Sequence, residues 1–192
     1  ESGLTGMQAF LDEHALAKEV RFVANLDARG VRGPGLMFET SPNNAATVDS
    51  LVARLPFVVA NSFMQTVYEH MPNGTDFSVV RQRGLAGINL AFIEGSEHYH
   101  TRLDEQRALD QDTLSHMGAY VNETLERAGR TKLDSLRSDH DAVYFDLANR
   151  FISYPFGLAL PLALLGVAGY WLLLVREQRA SAFTWPQLAR LV

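Results

Sequence analysis

The chain has 192 residues and a formal net charge of −5, room for one sizeable domain plus an appendage. The acidic balance argues against a nucleic-acid partner, which needs a basic face. There is no cysteine, so disulfides and thiolate metal ligands are excluded, while the compartment stays open.

In chain order, Glu1-Ser2-Gly3-Leu4 does not begin with methionine and shows no signal peptide. The chain is therefore expected to be a fragment whose natural start lies upstream. Leu4 to about Ala17 has the spacing of a helix, with Leu4, Met7, Phe10 and Leu11 on one side. Val20 to Leu26 is rich in β-branched and aromatic residues and predicts a strand, with Asp27 directly after it. Gly30, Gly33, Pro34 and Gly35 mark a turn-rich loop, and Leu36 to Thr40 a short strand. Ser41-Pro42-Asn43-Asn44 is a helix entry for a segment ending near Leu55. Asn61 or Ser62 caps a further helix that is expected to bury Phe63, Val67 and Met71, and Pro72-Asn73-Gly74 stops it. A short helix from about Asp76 to Gln82 leads to a buried strand from Ile88 to Ile93.

From Asp110 or Asp112 runs an amphipathic helix with Leu114, Met117, Val121 and Leu125 on one face, and Gly129 is placed to end it. Residues 130 to 141 are polar, as in a linker or exposed loop. Ala142 to Leu147 suits either a strand or the lead into a helix. Strands alternating with helices predict an α/β domain with a mostly parallel central sheet over residues 1 to 150.

Residues 151 to 175 carry no charge. As a helix rising about 1.5 Å per residue, the run exceeds the roughly 30 Å of bilayer hydrocarbon. It predicts a transmembrane helix, with Tyr154, Tyr170 and Trp171 suited to interfaces. Arg176 and Arg179 follow at once. The positive-inside rule then puts residues 176 to 192 in the cytoplasm and residues 1 to 150 on the non-cytoplasmic side. The last residues, from Ala182, also fit the start of a further membrane segment.

Chemistry-bearing residues gather after the two long strands. Asp27 follows one, and Glu97-His98-Tyr99-His100 follows the other. Loops past buried strands are where open α/β sheets place ligands. A carboxylate and a neutral imidazole, with no thiol available, suit zinc or another divalent cation, and two ligands alone do not make a site. Glu1 is a candidate further ligand, and also a plain chain end. Tyr99 can donate to an oxyanion or simply pack over the loop. Asp104 can orient His100 or cap a turn. In an extended segment His98 and His100 point to opposite sides, which favours His100 as the ligand.

Five segments together resemble the co-catalytic dizinc aminopeptidases, the superfamily of glutamate carboxypeptidase II and the transferrin receptor. Within it they are most similar to the membrane-bound branch typified by the endoplasmic reticulum metallopeptidase. These segments are Glu1-Ser2-Gly3-Leu4-Thr5-Gly6, Asn25-Leu26-Asp27-Ala28-Arg29-Gly30, Gly33 to Thr40, Met71 to Phe77, and Tyr99-His100-Thr101 with Asp104. The resemblance implies the C-terminal part of a zinc exopeptidase domain. Glu1 and His100 would bind one zinc and Asp27 the other, and Tyr99 would stabilise the tetrahedral intermediate. Asp76 and Phe77 would lie in a loop near the substrate. The remaining ligands and the general base would lie upstream, so the chain alone is expected to be inactive. Gly74 and Arg102 depart from the branch's usual residues. The implied partners are a peptide substrate and membrane lipid. The same fold also serves non-catalytic receptor ectodomains and glutaminyl cyclases, the rival readings.

Overall fold

The computed structural model describes residues 4–188, with side chains described to residue 177. Two compact units divide at Pro155 and Phe156.

The first unit opens with α1 (Thr5–Glu13). The single helix expected to Ala17 breaks at His14, whose backbone is extended and whose ring accepts the Leu16 N–H at 3.2 Å. A 3-10 turn follows. Then come β1 (Phe22–Ala28), β2 (Leu36–Thr40), a short α2 (Ala45–Thr47) that widens into a π turn, and β3 (Val59–Ala60). Next are α3 (Phe63–Tyr68), α4 (Asp76–Gln82), β4 (Ala86–Phe92) and the long α5 (Gln111–Arg130). A hairpin of β5 (Ala142–Leu147) and β6 (Arg150–Pro155) ends the unit.

The main sheet has the order β1-β4-β2-β3. β1 runs parallel to β4 and β2 parallel to β3, while β2 and β4 are antiparallel. The α/β class holds, with a sheet that is parallel-rich and mixed. All seven residues of β4 are buried, as a strand covered on both faces requires. Ile88 and Leu90 of β4 pack with Met37, Val48, Leu51 and Tyr120 in one core.

Three expectations are corrected by the packing. Phe63 is 67% exposed and Val67 41%, so α3 does not bury them in the core. On α5 the buried residues are Thr113, Met117, Tyr120, Thr124 and Ala128, while Leu114 and Leu125 are exposed. Tyr120 is the largest side chain on the buried face, and Thr124 satisfies its hydroxyl on the Tyr120 carbonyl at 2.8 Å. Of the four residues expected on the buried face, Met117 is buried and Val121 packs against the core, and only the two leucines turn outward. Third, Phe151 to Pro155 is strand and not helix: Tyr144 pairs with Ser153 and Phe145 with Ile152. The turn has Ala148 and Asn149 both at positive φ, the geometry of a two-residue hairpin loop. An uncharged strand and an uncharged helix are indistinguishable by hydropathy, so the run from Phe151 looked continuous. Within the polar stretch 130 to 141, Leu136 is fully buried and its carbonyl accepts from Thr47.

The second unit is α6 (Ala159–Leu188), entered through a 3-10 turn. Phe156 to Glu177 is long and apolar enough to cross a membrane, and none of it is buried. The stretch from Ala182 and the side chain of Arg179 lie outside the described side chains.

Candidate active site

β1 and β4 are adjacent and parallel, so their carboxyl ends open at the same edge of the sheet. Asp27 is the penultimate residue of β1, paired with Ala91 of β4. The loop after Asp27 stays on the continuation of β4. Arg29 N–H donates to the Phe92 carbonyl at 3.0 Å, and Val31 and Arg32 N–H both donate to Glu94 O. Gly30 makes this possible, because a Cβ there would overlap the Glu94 backbone. Gly95, at φ 78, turns the second loop away against Val31. The two loops that hold Asp27 and Tyr99 are therefore stitched together by backbone.

Tyr99 is half-buried and its ring stacks on His100, with centroids 3.9 Å apart. The Arg29 guanidinium lies over the Tyr99 ring at 5.4 Å. His100 itself is exposed and sits at φ 56 in the left-handed region. His98 is held by its own turn, its Nδ1 3.0 Å from the Leu103 carbonyl. Asp104 is exposed, and its backbone N–H closes the turn onto Thr101 at 3.3 Å. No hydrogen bond joins its carboxylate to His100 among the described residues.

Asp27 and Tyr99 line one cleft of about 110 Å³, with Arg29, Tyr68 and Thr75 among its other walls. Asp27 Oδ1 accepts the Ala28 N–H at 2.8 Å. Burial holds the Asp27 carboxyl above its usual range and the nearby Asp76 carboxylate adds to this, against the lowering effect of the Ala28 N–H. Asp76 opens α4, close enough to act on Asp27. Phe77, expected in a substrate loop, is instead the next helical residue and is wholly buried. Its ring fills the space that Gly87 leaves on β4.

A polar row that the sequence reading missed lies beneath this cleft. Asn25 donates to Asn89 Oδ1 at 2.8 Å; Asn89 Nδ2 donates to Glu39 Oε2 at 2.8 Å and to Thr75 Oγ1 at 3.0 Å. Arg81 reaches Glu39 at 2.7 Å and Glu69 at 2.9 Å. Glu39 is 1% and Asn89 0% exposed. Asn25 and Asp27 are two apart on β1 and share a face, so the row ties the start of α4 to the sheet one residue pair below Asp27. The signal for it was present: Asn89 is the one polar side chain in β4, whose other residues are Ala, Gly, Ile, Leu and Phe.

The residues present fit part of a cation site. Burial and a second carboxylate both penalise the Asp27 charge, and a bound cation would relieve both. An oxygen donor and an imidazole suit zinc. Among the described residues no group of three or more His, Cys, Asp or Glu side chains could hold a metal ion. Glu1 lies outside the described residues.

Residues 1–125 match peptidase family M28. Among similar proteins, the endoplasmic reticulum metallopeptidase 1 of Homo sapiens is 31% identical over 162 residues, 81% of this chain and 18% of the relative. The vacuolar membrane protease of Eremothecium gossypii is 32% identical over 152 residues, 79% of this chain and 15% of the relative. Its counterpart in Yarrowia lipolytica is 30% identical over 194 residues, 96% of this chain and 19% of the relative. The chain thus spans less than a fifth of the length of these relatives. No solved structure matches it. The match over most of the chain, at the segments that build the Asp27 and Tyr99 loops, shows that the chain belongs to peptidase family M28.

Proposed function

We propose that this chain is part of a longer, membrane-anchored, zinc-dependent aminopeptidase with two metal ions, in which Glu1 and His100 hold one zinc and Asp27 the other. The observation that carries the reading is the pairing of loops at the carboxyl ends of β1 and β4, which sets Asp27 and Tyr99 on one cleft. Zinc, when bound, supplies Lewis-acid chemistry and lowers the pKa of water. The chain's own residues do the rest. Asp27 holds a fixed carboxylate, braced by Ala28 N–H. Tyr99 presents its phenol at the cleft, where it donates to the oxygen that gains charge as the peptide carbonyl is attacked. Arg29 over its ring and His100 stacked on it restrict its motion. Asp104 supports the turn after His100. Asp76 opens α4 close enough for its charge to act on Asp27, and buried Phe77 anchors α4. α6 carries the protein in the membrane, with the peptidase domain on the non-cytoplasmic side and Arg176 on the cytoplasmic side.

The test is hydrolysis of aminoacyl amides by the full-length protein, with zinc analysis, beside Asp27→Asn and His100→Ala. Each substitution should lower activity by more than a hundredfold and reduce bound zinc. Unchanged activity in both would sink the metal assignment, and a wild type that hydrolyses nothing would favour the non-catalytic scaffold.

A further inference from the structure

Asn25, Asn89 and Glu39 form one polar rung across three strands. Asn25 is in register with Asn89, and Asn89 with Glu39. Asp27 and Ala91, paired with each other, lie two residues further along β1 and β4, on the same face of the sheet. A break in the pairing of β2 supplies the third member. Met37 pairs with Leu90 and Glu39 with Asn89, so Phe38 is an extra residue, as in a β-bulge. Regular pairing would set Phe38 opposite Asn89; the bulge sets Glu39 there.

Asn89 is wholly buried and uses all of its amide. Its Nδ2 donates to Glu39 Oε2 at 2.8 Å and to Thr75 Oγ1 at 3.0 Å, and its Oδ1 accepts from Asn25 at 2.8 Å. Thr75 caps α4 and lines the cleft with Asp27 and Tyr99. Glu39 carries the link onward, because its other oxygen accepts from Arg81, which also holds Glu69 at the end of α3. The segment from Glu69 to Thr75 is thus fastened to the same rung at both ends. Stability alone does not call for such a rung, since well-packed apolar side chains in place of a buried charged cluster are often neutral or stabilising. What a fully satisfied polar cluster adds is one fixed arrangement, because its bonds are directional.

Resting on the reading of Asp27 and Tyr99 as active-site residues, we propose that Asn89 is a positioning residue for the reaction. Held by Glu39, it fixes Thr75 and with it Asp76 against Asp27. Its own side chain is buried and acts only through these neighbours. A misplacement of ~1 Å in an active site can cost about a hundredfold in rate, so the rung bears on turnover and not only on folding.

The test exchanges donor and acceptor in the full-length protein in detergent. Asn89→Asp sets two carboxylates against each other, and Glu39→Gln turns amide hydrogens toward Asn89 or Arg81. In the double variant the amide introduced at 39 donates to the carboxylate introduced at 89, which still accepts from Asn25 and Thr75. Each single substitution should lower kcat for aminoacyl amides by about tenfold or more. KM should stay within about threefold, the sign of an interaction made in the transition state, and bound zinc should not change. The double variant should return kcat to within about threefold of wild type. Asn89→Leu fills the space without hydrogen bonds, and its kcat should stay low even where its melting temperature equals that of wild type. Wild-type kcat in Asn89→Leu, a double variant no better than the poorer single, or kcat that simply follows melting temperature overturns the proposal. Loss of zinc with unchanged turnover per zinc also overturns it and makes the rung a support for Asp27 alone. If a single variant does not fold, the double variant and Asn89→Leu decide between the same outcomes. A wild type that hydrolyses no amide sinks the peptidase reading itself, whereas an active wild type with indifferent variants sinks only the role of Asn89.

Discussion

Gly30 crosses the backbone of Glu94 so closely that a Cβ on Gly30 would overlap the Glu94 carbonyl. That carbonyl accepts two N–H groups from the residues just after Gly30, at 2.9 and 3.1 Å. This contact joins the loop of Asp27 to the loop of Tyr99. Backbone cannot move aside as a flexible side chain can, so Gly30→Ala should destabilise the domain by about 1–3 kcal/mol and pull the two loops apart. Gly118 is the control. It lies inside α5 with open space around it, and Gly118→Ala should stabilise by roughly 0.5–1 kcal/mol. Urea melts of both variants check the contrast, and equal effects would contradict it.

Arg81 and Glu39 form an ion pair in which Glu39 is almost wholly buried. Removing Arg81 leaves a carboxylate without its cation in the interior, so Arg81→Met should cost about 3 kcal/mol or more. Arg81 also holds the Glu69 carboxyl below its usual range. Adding Glu39→Leu to Arg81→Met should recover part of the loss, because the stranded charge is then gone. A double variant less stable than Arg81→Met would show that the row matters mainly through its hydrogen bonds to Asn89.

Asp27 predicts a pH signature. Its carboxyl is raised above the ordinary 3.8 by burial first, with Asp76 adding to it. Between 3.8 and the raised value the native state binds more protons than the unfolded chain. The stability from this group is therefore full at low pH and lost as pH rises through the folded pKa. Metal-free Asp27→Asn should melt above metal-free wild type at pH 7, and the gap should close toward pH 4. Added zinc should reverse the order, because only wild type gains stability by binding it. Thermal melts with chelator and with zinc measure both halves; a metal-free wild type that melts above the variant at pH 7 refutes the first.

α6 predicts a membrane phenotype. Leu165 lies in the middle of the apolar span from Phe156 to Glu177. Arginine there should raise the cost of insertion by about 2.5–3.5 kcal/mol and move much of the protein out of the carbonate-resistant membrane fraction. A reporter fused after Glu177 should be cytoplasmic. Protection of that reporter from cytoplasmic protease would invert the proposed topology.

What the sequence determined by itself was local and periodic. The strands at Leu36 to Thr40 and around Asp27 and Asn89, the short helix from Asp76, and the start of α5 all follow from patterns within a few residues. The family resemblance was legible for the same reason, since its motifs are short and ordered along the chain. Tertiary structure decided the rest. It chose which face of α5 is buried, because Tyr120 and two threonines fit closely where Leu114 and Leu125 do not. It split the uncharged run at Pro155, because Phe151 to Pro155 finds a partner strand and the residues after it do not. It put Phe77 in the core behind Gly87 and opened the face of α3 toward Asp27. It assembled Asn25, Glu39, Asn89, Thr75 and Arg81, drawn from three strands, a helix and its cap. Such contacts join residues far apart in the chain, and no local period encodes them. They exist only once the sheet has set β1, β4 and β2 side by side.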